Sequence, residues 1–230
     1  MNLIENCSTE FDDSFDKIKE ISWLPWVGQR YNLTKTLILG ESQYEDGDEW
    51  QEGNINATRI LIGQRFSGSK GVICTNTEKV LLSKIHPTQE EGNYIWQSVT
   101  YWNLVQRLMT SRNDRPTDID YDYGWKTFFT VIDIVKPKTC IVLGKSSCGR
   151  LGYYLNNNKT DWKRTISEFY EKGKVINLTK NEFKIKLIFI NHPSGSRGFD
   201  YKKWATLINE TEPELKDILL LKKPIVGNIV

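Results

Sequence analysis

Three short, almost wholly apolar runs constrain this chain most: Thr36-Leu37-Ile38-Leu39-Gly40, Thr139-Cys140-Ile141-Val142-Leu143-Gly144, and Ile185 to Ile190. A strand with one wet face alternates polar and apolar residues, whereas these runs do not, so they read as strands buried on both faces. Helical patterns fill the intervals. They are expected over residues 54–66, 76–84, 92–112 and 118–135, from near Ser146, and over 199–211 and 212–222. In the 92–112 segment Ile95, Val99, Trp102, Val105 and Leu108 recur at helical spacing, and in the 118–135 segment Trp125, Phe128, Phe129, Ile132 and Val135 do. Ser8 can cap a first helix bearing Phe11, Phe15, Ile18 and Ile21. Val175 to Leu178 reads as an edge strand, after a polar stretch from Asn156 to Lys174. Strands alternating with helices predict an α/β fold: three αβα layers around a central, mostly parallel sheet, in one domain over residues 1–230.

Composition excludes several function classes. A formal charge of +2 rules out a whole-molecule basic field, so phosphate contacts must come from a local cluster. Residues 1–20 carry six acids and no signal-like apolar core, and no later run approaches the roughly 20 residues that cross a bilayer, so a cytoplasmic protein without membrane contact is expected. Cys7, Cys74, Cys140 and Cys148 are scattered, without the paired spacing of zinc or iron–sulfur ligands. Reduced structural thiols, and no metal or cofactor, are expected.

The third run delivers one of only two histidines into a polar turn, Asn191-His192-Pro193-Ser194-Gly195-Ser196-Arg197. Parallel strands ending at Gly40, Gly144 and Asn191-His192 would gather their following loops on one rim of the sheet, where open α/β sheets bind ligands.

Leu37-Ile38-Leu39-Gly40-Glu41-Ser42-Gln43-Tyr44 together with His192-Pro193-Ser194-Gly195-Ser196 resembles the two active-site motifs of the uracil-DNA glycosylase superfamily. The middle strand, Ile141-Val142-Leu143-Gly144 with the small residues after it, is similar to a further element of that superfamily, and the resemblance spans roughly residues 35–205 through about twenty positions. It implies a uracil-DNA glycosylase-like fold and hydrolysis of an N-glycosidic bond, releasing uracil or another modified base flipped from DNA. By the same resemblance, Glu41 orients water or stabilises the cationic sugar, and His192 donates a hydrogen bond to the departing base. Ser194 would hold a phosphate, Tyr44 would stand beside C5 of the base, and Asn103 is the candidate to read the pyrimidine edge. Gly40, Ser42, Ser196 and Arg197 complete the candidate substrate-binding set, with Lys202 and Lys203 as further phosphate contacts.

Departures from the family pattern set up an alternative. Gln43 stands where most members have proline, and Ser42 where one branch has its catalytic aspartate. Residues 41–52 hold six carboxylates and no Lys or Arg, which opposes a phosphate backbone. A catalytically weak module binding a modified base, a nucleotide or a protein partner is the second reading.

Other motifs have plainer uses. His86-Pro87 reads as a helix-ending turn, and Gly144-Lys145-Ser146 lacks the earlier glycine of a phosphate loop, Thr139 standing there instead. Cys148, near a helix start, could be an activated thiol beside His192, or a buried structural one. Asp118, Asp120 and Asp122 suit a helix N-terminus without a metal.

Overall fold

The computed structural model describes residues 3–45, 53–111, 113–170, 173–194 and 199–220. Its centre is the expected set of buried strands: β2 (Thr36–Gly40), β6 (Thr139–Leu143) and β9 (Phe183–Ile190) lie side by side and parallel. On the other side of β2 runs a fourth parallel strand, β4 (Val99–Asn103), which pairs residue for residue from Thr36↔Val99 to Gly40↔Asn103. Three more strands make the sheet mixed. β1 (Trp26–Val27) closes one side antiparallel to β4, and β8 (Gly173–Lys180) and β7 (Lys163–Tyr170) extend the other side antiparallel, in the order β1-β4-β2-β6-β9-β8-β7. The protein is therefore α/β, with a seven-stranded mixed sheet whose core is parallel.

Helices cover both faces. On one face α3 (Ala57–Phe66), α4 (Val72–Leu82), α5 (Gln89–Ser98), α8 (Tyr201–Thr211) and α9 (Pro213–Leu220) bury Ile62, Leu81, Trp96, Trp204 and Leu219 against Ile38, Tyr101, Ile141 and Ile188. On the other, α1 (Asp12–Phe15), α2 (Tyr31–Thr34), α6 (Asp118–Val135) and α7 (Ser147–Asn157) bury Phe15, Tyr31, Trp125, Phe128 and Leu151 against Leu37, Leu39, Val142 and Phe189. Neighbouring residues of each strand thus feed opposite cores, which is why the strand runs are continuously apolar.

Several expectations are corrected here. The helix expected over 92–112 ends at Ser98, and Val99-Thr-Tyr-Trp-Asn103 is β4. Its β-branched and aromatic residues suit a pleat between two partners, and ladder bonds to β1 and β2 outweigh the helical spacing that continued through it. The first helix is only Asp12–Phe15, although Phe15 and Ile18 are buried as the pattern required. Ser8 Oγ accepts from Glu10 N at 3.3 Å outside that helix, so it is no cap. Helix α4 begins earlier than residue 76 and ends at Leu82, before His86. The polar stretch before Val175 contains β7, so β8 is interior and β7 is the edge.

The acids of 118–122 act as expected at a helix start. Thr117 and Asp120 form a reciprocal capping box on α6, while Asp118 and Asp122 pair with Arg150 of α7. No helix among the described residues is long and apolar enough to cross a membrane.

Candidate functional site

The connection leaving β2 leads to α3 on one face, and that leaving β6 leads to α7 on the other. These two adjacent parallel strands thus send their following chains to opposite faces, and the carboxyl ends at such a switch point are the place where α/β sheets take ligands. Glu41 directly follows β2, and Gly144 and Ser146 follow β6. His192 lies two residues beyond β9.

Backbone bonds hold this rim. The ladder between β2 and β4 continues past the strands through Leu104 N to Gly40 O at 3.0 Å and Val105 N to Glu41 O at 2.9 Å. Gly144 N donates to Ile190 O at 3.0 Å, binding the ends of β6 and β9 together. From α4, Asn76 Nδ2 donates to Pro193 O at 2.8 Å and anchors the His-Pro-Ser turn.

The Glu41 carboxylate is held through one oxygen. Tyr121 of α6 donates its hydroxyl to Oε1 at 2.7 Å, and Ser146 donates to the same oxygen. Ser146 precedes α7 and makes no side-chain cap there, so its hydroxyl serves Glu41 instead, and the carboxylate sits at the positive end of that helix. Burial, reinforced by the Glu41 charge against the opposing Ser146 hydrogen bond, pushes the Tyr121 phenol well above its ordinary value, so it remains a proton donor.

His192 faces the same space. A Cβ built on Gly144 would stand 3.5 Å from Glu41 Oε1 and 3.7 Å from His192 Cδ2, so the missing side chain leaves these two groups a common opening. Gly144 also has φ +118°, which side-chain-bearing residues rarely adopt. His192 Nδ1 lies 2.7 Å from Ser194 Oγ and accepts from Ser194 N at 3.3 Å, an arrangement that puts the neutral ring's proton on Nε2. Burial lowers the His192 pKa below its ordinary 6.5, the Glu41 charge opposing and the Arg115 charge assisting that shift. A neutral Nε2–H donor beside a carboxylate is the resulting pair.

On the far side of β2, Asn103 ends β4 and is 1% exposed. Tyr101 donates its hydroxyl to Asn103 Oδ1 at 3.0 Å, and Asn103 Nδ2 has no hydrogen-bond partner among the described residues. Gly40 makes the room: a Cβ there would lie 2.1 Å from Asn103 Oδ1 and 2.6 Å from the Tyr101 hydroxyl. With neighbouring strands about 4.8 Å apart, β4 and β9 stand roughly 14 Å apart, and the two chains between them present glycine at or just past their ends.

Glu41, His192 and Ser194 are thus gathered around Gly144, and Asn103 is buried beside Gly40 at the end of the adjoining strand. Ser42, next in sequence to Glu41, is buried. Tyr44 belongs to a separate two-stranded sheet, β3 (Gln43–Tyr44) with β5 (Leu108–Met109), where Arg115 Nη1 reaches its hydroxyl at 3.5 Å. Ser196, Arg197 and most of the acidic 41–52 segment lie outside the described residues. Lys203 Nζ lies 5.4 Å from the Trp204 ring centroid. The sequence carries no site signal for Tyr121, Ser146 or Tyr101: Ser146 reads as a helix start and as part of a phosphate-loop pattern without its first glycine, and Tyr121 lies among the capping acids.

All four cysteines are buried and unbridged, and burial raises the Cys148 thiol, so the activated-thiol alternative is overturned. No cluster of three or more His, Cys, Asp or Glu suited to a metal occurs among the described residues. Compared with protein-family models and with curated proteins, the sequence matches none.

Proposed function

We propose that this chain is an N-glycosidic hydrolase of the uracil-DNA glycosylase type, releasing uracil or another modified base from DNA inside the cell. The observation that carries the reading is the Glu41–His192 pair across Gly144, at the carboxyl ends of β2 and β6 where their following chains leave for opposite faces. In such a reaction the C1′–N bond breaks and its electron pair leaves with the base. The His192 Nε2–H would donate to the base anion, while the Glu41 carboxylate would stabilise the sugar cation and accept the proton of the attacking water. Asn103 is suited to read the edge of the flipped base.

The test is alkali-labile strand breakage of oligonucleotides carrying uracil, hypoxanthine or thymine at one position. Cleavage at uracil or hypoxanthine supports the reading, and no abasic product from any of the three overturns it.

A second reading, a catalytically weak module that binds a base, a nucleotide or a protein partner, draws on the engagement of Glu41 Oε1 by two hydroxyls and on Ser42 and Gln43 in the first motif. Saturable base binding without release on long incubation would favour it.

A further inference from the structure

We infer that Tyr101 is a specificity-determining residue, which selects the base edge that Asn103 accepts by holding the Asn103 amide in one orientation. The inference rests on the base-binding reading above. Asn103 carries a donor and an acceptor side by side, and a half-turn of the amide exchanges them. With the Tyr101 hydroxyl bonded to Oδ1 at 3.0 Å, the oxygen is kept beside the phenol and Nδ2 is left, buried and without a partner among the described residues, for a ligand acceptor. Turning the amide would leave the Tyr101 hydroxyl proton unpaired in a position only 2% exposed. Burial raises the Tyr101 pKa well above that of an ordinary phenol, so the hydroxyl keeps that proton.

An amide fixed this way matches a carbonyl acceptor next to a ring N–H, the edge of uracil. Cytosine presents an amino donor next to a ring acceptor, which the same placement meets donor to donor and acceptor to acceptor. The substrate class is therefore bases with a keto–imino edge. Tyr101 acts through Asn103 and is a positioning residue. Gly40 is the third component, since any side chain there would occupy the space of both groups.

The experiment measures binding of 2′-deoxyuridine and 2′-deoxycytidine, whose N1 is blocked by the sugar so that only uracil keeps a ring N–H beside a carbonyl, to the wild-type protein and to Tyr101→Phe. This variant keeps the ring that packs edge-on against Trp96 at 5.9 Å, and a thermal melt verifies its folding. Wild type should prefer 2′-deoxyuridine by at least about tenfold, the scale of one buried hydrogen-bonding group left unpaired. In Tyr101→Phe the ratio should collapse to within about twofold, because the amide can turn to suit either base. Equal binding of the two nucleosides by wild type, or a ratio unchanged in the variant, would overturn the inference. Base release from DNA is scored separately: discrimination in binding without release leaves the Tyr101 role standing and removes the hydrolase.

Discussion

The phenol of Tyr121 donates a 2.7 Å hydrogen bond to Glu41 Oε1, joining the middle layer's carboxylate to helix α6 across 80 residues of sequence. With Ser146 on the same oxygen, this contact sets the direction of the other carboxylate oxygen. Tyr121→Phe should therefore lower turnover about tenfold while substrate binding stays near wild type, the size of effect expected for one hydrogen bond to a charged group. Single-turnover base release with a matched binding isotherm checks it, and an equal loss in binding would point to a packing role.

Glu41→Gln and His192→Ala should each reduce turnover by roughly a hundredfold or more, as for loss of one preorganised electrostatic contact. Glutamine keeps an oxygen for Tyr121 and Ser146, and the His192 ring is only half-buried, so the thermal midpoint should hardly move. Variants that melt early yet retain normal turnover per folded molecule would refute the assignment.

Gly144→Ala places a methyl between Glu41 and His192 at a φ of +118°. Destabilisation of about 1–3 kcal/mol is expected from the backbone alone, seen as a lower denaturant midpoint at unchanged slope. Activity should fall further than folding does.

The lowered His192 pKa has a defined sign. Above pH 6.5, its ordinary value, folded and unfolded chains both carry the neutral ring. As pH falls through 6.5 the unfolded chain takes the proton first, so stability is lost progressively until the folded imidazole titrates as well. Stability curves of wild type and His192→Gln should coincide above that pH and diverge below it, with the variant losing less. The acid limb of base release should likewise lie below pH 6.5.

Away from the site, Arg65 Nε bonds Glu78 Oε1 at 2.6 Å and its Nη2 bonds Oε2 at 2.9 Å, with side chains 5% and 1% exposed, and Trp96 Nε1 donates to Glu78 at 2.8 Å. Glu78→Ala leaves a buried guanidinium without its counter-charge, Gln89 alone among the described residues still accepting from it, and an indole N–H unpaired, and should cost about 3–5 kcal/mol in denaturant unfolding. Arg65→Met with Glu78→Leu should recover most of that loss.

The sequence by itself determined the α/β class, the three strands β2, β6 and β9, the helices α6 and α8, and the convergence of Gly40, Gly144 and His192 on one rim. These were legible because a strand covered on both faces must be apolar at every position, and because caps such as Thr117 with Asp120 are local. Only the tertiary structure decided that Val99–Asn103 is a strand beside β2, that β7 is the edge, and that Tyr121, Ser146 and Tyr101 organise Glu41 and Asn103. Helical spacing through residues 95–108 reports which side chains are buried, whereas ladder bonds and carboxylate partners up to 105 residues away depend on how the layers meet.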